Sequence, residues 1–200
     1  MGFKTNPKHL FKGGNLSVNT KKLLVLTLVA VFVLGTVSAA FAGTTVRTGA
    51  FSDLADDKAG EALSFLGAFG IYKGDAGLGG AARPDDPITR AEFAAVVVRM
   101  LGKEKIANAL ATYTPAFKDA NEIPLWAWGV VNVASNMGIV NGFEDGTFRA
   151  NENVTHAQVL AMLIRALGHD TLVTGTWPIN YVMYGADLGL TDDEIGRAHV

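Results

Sequence analysis

The 200-residue chain contains no cysteine, which excludes a disulfide framework and leaves a hydrophobic core to hold the fold. Histidine is scarce, and His156, His169 and His199 show no metal-ligand spacing. The Gly-x-Ser-x-Gly of hydrolases and a phosphate-cradling glycine loop are also missing. Asp57 and Glu61 read as ordinary helix-start carboxylates. With no catalytic constellation, neither an enzyme activity nor a cofactor or metal is expected. A basic surplus is absent too. Residues 1 to 42 hold five lysines and no acid, so the remainder has twelve basic against nineteen acidic residues, a net charge of about −7. That excludes the electrostatic footprint of nucleic-acid binding.

The two ends differ from the middle. Lys21-Lys22 precede an apolar run from Leu23 to Val37 and small residues ending Ala40-Phe41-Ala42, the pattern of a signal peptide. The exported protein is expected to begin at Gly43. The rival reading is an uncleaved anchor, since Leu23 to Ala42 is long enough to span a bilayer. Residues 1 to 17 stand ahead of a complete n-region and are expected to be a misread start. Lys12-Gly13-Gly14 is what a purine-rich ribosome-binding site yields when read as codons, and Val18 stands where a GTG start would. At the other end, Ile195-Gly196-Arg197-Ala198-His199-Val200 reads as a translated sequencing adapter, so residues 195–200 are expected to be an artefact.

What is present is a repeat. Pro87-Ile88-Thr89-Arg90-Ala91-Glu92-Phe93 returns 66 positions later as Asn153-Val154-Thr155-His156-Ala157-Gln158-Val159. Each copy runs into an amphipathic helix: Phe93, Val96, Val97, Met100 and Leu101 are matched by Val159, Met162, Leu163, Ala166 and Leu167. Arg99 and Arg165 correspond, and Leu101-Gly102 and Leu167-Gly168 give the same stop. An earlier helix precedes each, through Ala62, Phe65, Leu66 and Phe69 to Gly70-Ile71, and through Val130, Val133, Ala134 and Met137 to Gly138-Ile139. A third copy begins with Tyr181, Tyr184, Gly185 and Leu188 before Gly189-Leu190. The glycines suit the left-handed C′ position.

Each unit therefore opens on Phe-x-Asp (Phe51-Ser52-Asp53, Phe117-Lys118-Asp119) and continues as helix, polar loop and helix. The expected division is residues 43–108 for the first unit, 109–170 for the second and 171–194 for part of a third. Lys103 to Pro115 is expected to link the first two, with Lys103-Glu104-Lys105 a solvated helix extension. Two-helix units cannot bury their apolar faces alone and must share a core.

Thr89 with Glu92, and Thr155 with Gln158, make the capping-box pattern, and Ile88 with Phe93, or Val154 with Val159, the hydrophobic staple. Arg90 has no such structural reason, because a cation at N1 opposes the helix dipole. Free amides at a helix start attract anions, and a guanidinium adds two parallel donors that fit a carboxylate or phosphate. Arg90 is thus either an acidic-ligand contact or the partner of Asp85 or Asp86. His156, mostly neutral at pH 7, is expected to bind an anion more weakly or not at all.

The loop from Asn141 to Glu152 places Asn141, Asp145, Gly146 and Glu152 at calcium-loop positions 1, 5, 6 and 12, but Phe143 fails position 3. A turn on Asp145-Gly146 with Phe143 and Phe148 packed inward is expected instead. Trp126, Trp128 and Trp177 are expected to pack in the core or at its rim, with stacking on a sugar ring the minority reading.

These pieces resemble the S-layer homology (SLH) domains of bacterial surface proteins. The likeness rests on the Phe-x-Asp openings, Gly70-Ile71 and Gly138-Ile139, Asp145-Gly146-Thr147-Phe148-Arg149, and above all Ile88-Thr89-Arg90-Ala91-Glu92, similar to the family's Ile-Thr-Arg-Ala-Glu signature. It covers Ala50 to about Thr191. The resemblance implies an all-α fold of tandem helix-loop-helix repeats in a three-unit pseudo-symmetric prism, incomplete here. It implies non-covalent anchoring of an exported protein to cell-wall polysaccharide, often pyruvylated, at the cell surface, with self-association in a surface layer; the signal-peptide pattern leaves no membrane span expected after cleavage. Carried over by position, Thr89, Arg90 and Glu92 are the first unit's signature residues and Arg90 its ligand contact; Thr155, His156 and Gln158 are the second unit's. His156 and Gln158 depart from the signature. The alternative is a structural, lattice-forming segment that touches no glycan.

Overall fold

The computed structural model describes residues 51–55, 58–75 and 80–191. The expected signal peptide, Asp57 and the segment 195–200 lie outside the described residues. The described chain is all-helical: α1 (Lys58–Ala68), α2 (Arg90–Met100), α3 (Glu104–Ala109), α4 (Trp128–Asn136), α5 (His156–Ala166) and α6 (Ile179–Asp187), with short 3-10 turns at Ala120–Glu122, Leu125–Ala127 and Asp170–Leu172. Among the described residues there is no strand, only an isolated antiparallel bridge between Thr89 and Asn153.

The glycine stops work as the sequence predicts. Gly70, Gly102, Gly138, Gly168 and Gly189 all have φ between 66 and 78°. After each, the next amide reaches back to the helix, as in Ile139 to Ala134 at 2.9 Å and Leu190 to Gly185 at 2.8 Å. This satisfies carbonyls that the helix end leaves open.

The main core lies between α2, α4 and the loop from Ile139 to Ala150. α2 packs against both α4 and α5, and its most buried side chains are Ala91, Ala94, Ala95, Val97 and Val98. The expected face through Phe93, Val96, Met100 and Leu101 is only half-buried. A helix with neighbours on two sides buries its small residues, because those allow close approach. α5 also turns a different face inward, burying Leu160, Ala161, Met162 and Ile164, but here the buried residues are mostly large; Val159, Leu163, Ala166 and Leu167 are half-buried. Leu160, Ala161 and Ile164 form a second cluster with Tyr181 of α6. Phe69 and Met137, expected to face inward, are exposed.

The segment after Gly102 is not a solvated extension. Gly102 ends α2, and α3 starts afresh at Glu104 and packs on α4. Glu104 pairs with Lys73 and, at 3.3 Å, with Arg99. The α3 to α4 crossing is so close that a Cβ on Gly129 would lie 1.8 Å from the Ala107 carbonyl oxygen.

The Phe-x-Asp aspartates act as clamps. Asp119 is buried, and its two carboxylate oxygens accept the amides of Phe148 at 2.8 Å and Arg149 at 2.7 Å. Asp53 accepts those of Ala82 at 2.7 Å and Arg83 at 2.8 Å. Each clamp fixes an arginine in the left-handed region, Arg83 at φ 55° and Arg149 at φ 60°. That conformation is uncommon for a residue with a side chain.

Candidate anion-binding site

Both capping boxes form. The Glu92 amide donates to Thr89 Oγ1 at 3.3 Å and the Thr89 amide to Glu92 at 2.8 Å; Thr155 and Gln158 repeat the exchange at 3.3 and 3.2 Å. The other amides at the start of α2 are not free, which corrects the reason first given for anion binding there. The Arg90 amide donates to Glu152 O at 2.9 Å and the Ala91 amide to Ala150 O at 3.0 Å, while the Val154 amide returns a bond to Ile88 O at 3.0 Å. The helix of the first unit thus starts on the loop of the second. Thr155 and His156 are exposed, and the amides of His156 and Ala157 have no such partner among the described residues.

What remains for a ligand at α2 is the Arg90 side chain. The residue is 7% exposed, and its Nε has no hydrogen-bond partner. Its guanidinium carbon lies 5.0 Å from the ring centroid of Phe143 and 5.2 Å from that of Phe148. Neither Asp85 nor Asp86 pairs with it; Asp86 faces Arg83 at 4.0 Å. Burial pulls the Arg90 pKa down to about 10; Arg165 and Arg149 add to that effect, and Glu152 opposes it. Arg90 therefore stays charged at neutral pH. A buried cation without a counterion is costly, and such perturbed groups concentrate at functional sites.

Two more arginines lie near. Arg149 covers the Phe143 ring at 3.9 Å from its centroid, with Asp145 at 2.9 Å and Glu152 at 3.8 Å. Arg165 is committed elsewhere, paired with Asp170 at 3.0 Å and donating to Tyr181 Oη at 3.1 Å. Arg99, its counterpart, donates to Ile71 O at 3.4 Å. The matching arginines of the second helices therefore serve the fold.

The Asp145-Gly146 turn forms as expected, closed by the Gly146 amide on Phe143 O at 2.9 Å. The hydroxyl and amide of Thr147, with Arg149, hold the Asp145 carboxyl far below the usual carboxylate range. Phe148 is fully buried, whereas Phe143 is only half-buried, with the Arg90 and Arg149 guanidinia each against its ring. Among the described residues no group of three or more His, Asp or Glu is placed to hold a metal, and no helix is long and apolar enough to cross a membrane. A surface depression of about 370 Å³ touches Arg149, but Asp119, Glu122, Asp145 and Glu152 line it and give it the wrong sign for an anion. Trp128 is half-buried and donates to Ile123 O at 3.0 Å, while Trp126 and Trp177 are about half exposed.

Arg90 is legible in the sequence, whereas its aromatic seat and the role of Arg149 beside it are not. Phe143 and Phe148 are legible only as inward-facing turn residues, and nothing local ties them to a helix in another unit.

Residues 116–160 match the S-layer homology domain. The chain is 35% identical over 180 residues to a surface layer protein of Brevibacillus choshinensis, covering 90% of this chain and 15% of that protein. It is 35% identical over 175 residues to a cell surface protein of Thermoanaerobacter kivui, covering 86% and 21%. An amylopullulanase of Thermoanaerobacterium thermosulfurigenes is 38% identical over 120 residues, 58% of this chain and 6% of the enzyme. The chain thus spans about a fifth or less of the length of these curated relatives. No solved structure matches it.

Proposed function

Since the chain is an S-layer homology domain protein of the bacterial cell surface, we propose that it anchors an exported protein non-covalently to an acidic cell-wall polysaccharide. The carrying observation is the buried Arg90 side chain, its guanidinium against Phe143 and Phe148 and its Nε without a hydrogen-bond acceptor. A pyruvate ketal or another acidic substituent supplies the missing counterion. Thr89 and Glu92 hold the helix start that presents Arg90. Thr155, His156 and Gln158 form the second unit's weaker counterpart, and the three-unit prism and signal cleavage at Ala42 belong to the same reading. A segment resembling both a surface layer protein and 6% of an amylopullulanase suits an anchoring role better than a catalytic one.

A second reading, self-association in a lattice, is favoured by the exposed Leu125, Trp126, Trp177, Ile179 and Met183. Cosedimentation with walls purified from the producing bacterium separates the two. Arg90→Ala is expected to lose pelleting and His156→Ala to keep most of it; undiminished pelleting of both favours the lattice.

A further inference from the structure

Arg83 and Arg149 occupy the same place in successive loops, yet their side chains go different ways. Both have a left-handed backbone, and both donate their amides to the opening aspartate of their own unit. The Arg83 guanidinium is held by two carboxylates, Glu92 at 2.8 Å and Asp75 at 2.7 Å. The second unit has a carboxylate at neither position. Gln158 stands for Glu92 and uses its side-chain oxygen on the Thr155 amide. Phe143 stands for Asp75: the Asp75 amide donates to Ala81 O at 3.1 Å and the Phe143 amide to the matching Thr147 O at 2.9 Å. Arg149 is released from that clamp and lies on Phe143, the ring that Arg90 also covers.

We infer that Arg149 is the second cation of the Arg90 site, made available by Gln158 and Phe143, and that it sets a preference for acidic groups presenting several anionic oxygens. This rests on the reading of Arg90 as a ligand contact. Arg149 is held in the free protein by Asp145 at 2.9 Å, by Glu152 at 3.8 Å and by the Thr147 hydroxyl, which accepts from its Nε at 3.2 Å, but both carboxylates are exposed, at 51% and 62% of their side chains. Exposed ion pairs are weak, so a ligand oxygen displaces Asp145 readily. Two guanidinia at one ring, near enough for Arg149 to act on the charge of Arg90, offer more donors than one, which favours a phosphate or a substituted dicarboxylate over a single carboxylate. In the first unit the same arginine is locked by its own capping box. Residues 143 and 158 together therefore determine whether the loop arginine serves the fold or the ligand.

The test uses the full chain, binding isotherms on walls purified from the producing bacterium, and three variants. Gln158→Glu keeps the capping box, since Glu92 makes the same one, but restores a carboxylate that draws Arg149 away. Arg149→Asn removes the guanidinium with a residue that accepts positive φ. Arg90→Met removes the first cation while filling its space. Gln158→Glu and Arg149→Asn are each expected to weaken binding roughly tenfold, the size of one charged hydrogen bond, and together to weaken it no more than Arg149→Asn alone. Inorganic phosphate is expected to displace the parent chain at lower concentration than acetate, and that difference is expected to vanish in Arg149→Asn. Parent-like binding by Gln158→Glu and Arg149→Asn, with loss only in Arg90→Met, overturns the role of Arg149 and leaves Arg90 standing. Parent-like binding by all three overturns both.

Discussion

The amide of Arg90 donates to the carbonyl of Glu152, 62 residues further along the chain, at 2.9 Å. Through that bond and its neighbour from Ala91 to Ala150, the second helix of one unit is capped by the loop of the next. The same junction carries Arg90 onto the second unit's aromatic rings. Fold and candidate site are therefore built at one place.

Arg90→Met is expected to stabilise the protein by roughly 1–3 kcal/mol while abolishing wall binding. Replacing a buried charge that lacks a direct ion pair with an apolar side chain of similar volume removes a desolvation penalty, and sites that keep such a charge sacrifice stability for function. Urea denaturation beside a sedimentation assay checks both halves. Loss of stability together with binding would mean that the guanidinium serves the fold.

Asp119→Ala is expected to cost about 2–4 kcal/mol, because it orphans two amides beside the fully buried Phe148. Asp53→Ala breaks the same pair of bonds at an exposed position next to the small Ala82 and is expected to cost less. Chemical denaturation of the two variants gives the comparison.

Acid is expected to destabilise the chain below the ordinary carboxylate range. Burial raises the pKa of Glu92, but the Thr89 amide and hydroxyl and the Arg83 guanidinium outweigh it and hold it low. The Tyr181 hydroxyl, assisted by Arg165 against a smaller effect of burial, lowers Asp170. With folded values below unfolded ones, these groups contribute stability above about pH 4, which is lost as pH falls through the folded pKa. Unfolding free energies across pH 2–7 are expected to be flat at the top and to fall at the bottom. Glu92→Gln is expected to shrink the fall.

Gly129→Ala is expected to destabilise by at least about 2 kcal/mol, since its Cβ meets the Ala107 carbonyl and forces α3 away from α4. A lowered melting temperature with unchanged helical circular dichroism at 10 °C is the expected signature.

The sequence discloses most of the local chemistry. Thr89 and Thr155 announce their helices because a capping box needs only residues three apart, and Gly102, Gly138 and Gly168 mark the stops for the same reason. It does not disclose the buried face of α2, since a helix with two neighbours buries Ala94 and Ala95 rather than its larger residues. Nor does it disclose which carbonyls meet the Arg90 and Ala91 amides, because Glu152 and Ala150 contribute backbone and leave no side-chain trace. α3 escapes because six residues are too few to show a period. The contrast between Arg83 and Arg149 becomes readable only after the loops are superposed, where Asp75 aligns with Phe143 across a change in loop length.

Glu152 and Ala150 receive the helix start from across a unit boundary, while Phe143 and Phe148 receive the arginine beside it. Mechanical tension that pulled the two units apart would break both in one event. Under the proposed wall-anchoring role, ligand and fold would then be lost together, and the grip under shear would be set by the strength of that seam rather than by the affinity of Arg90 alone.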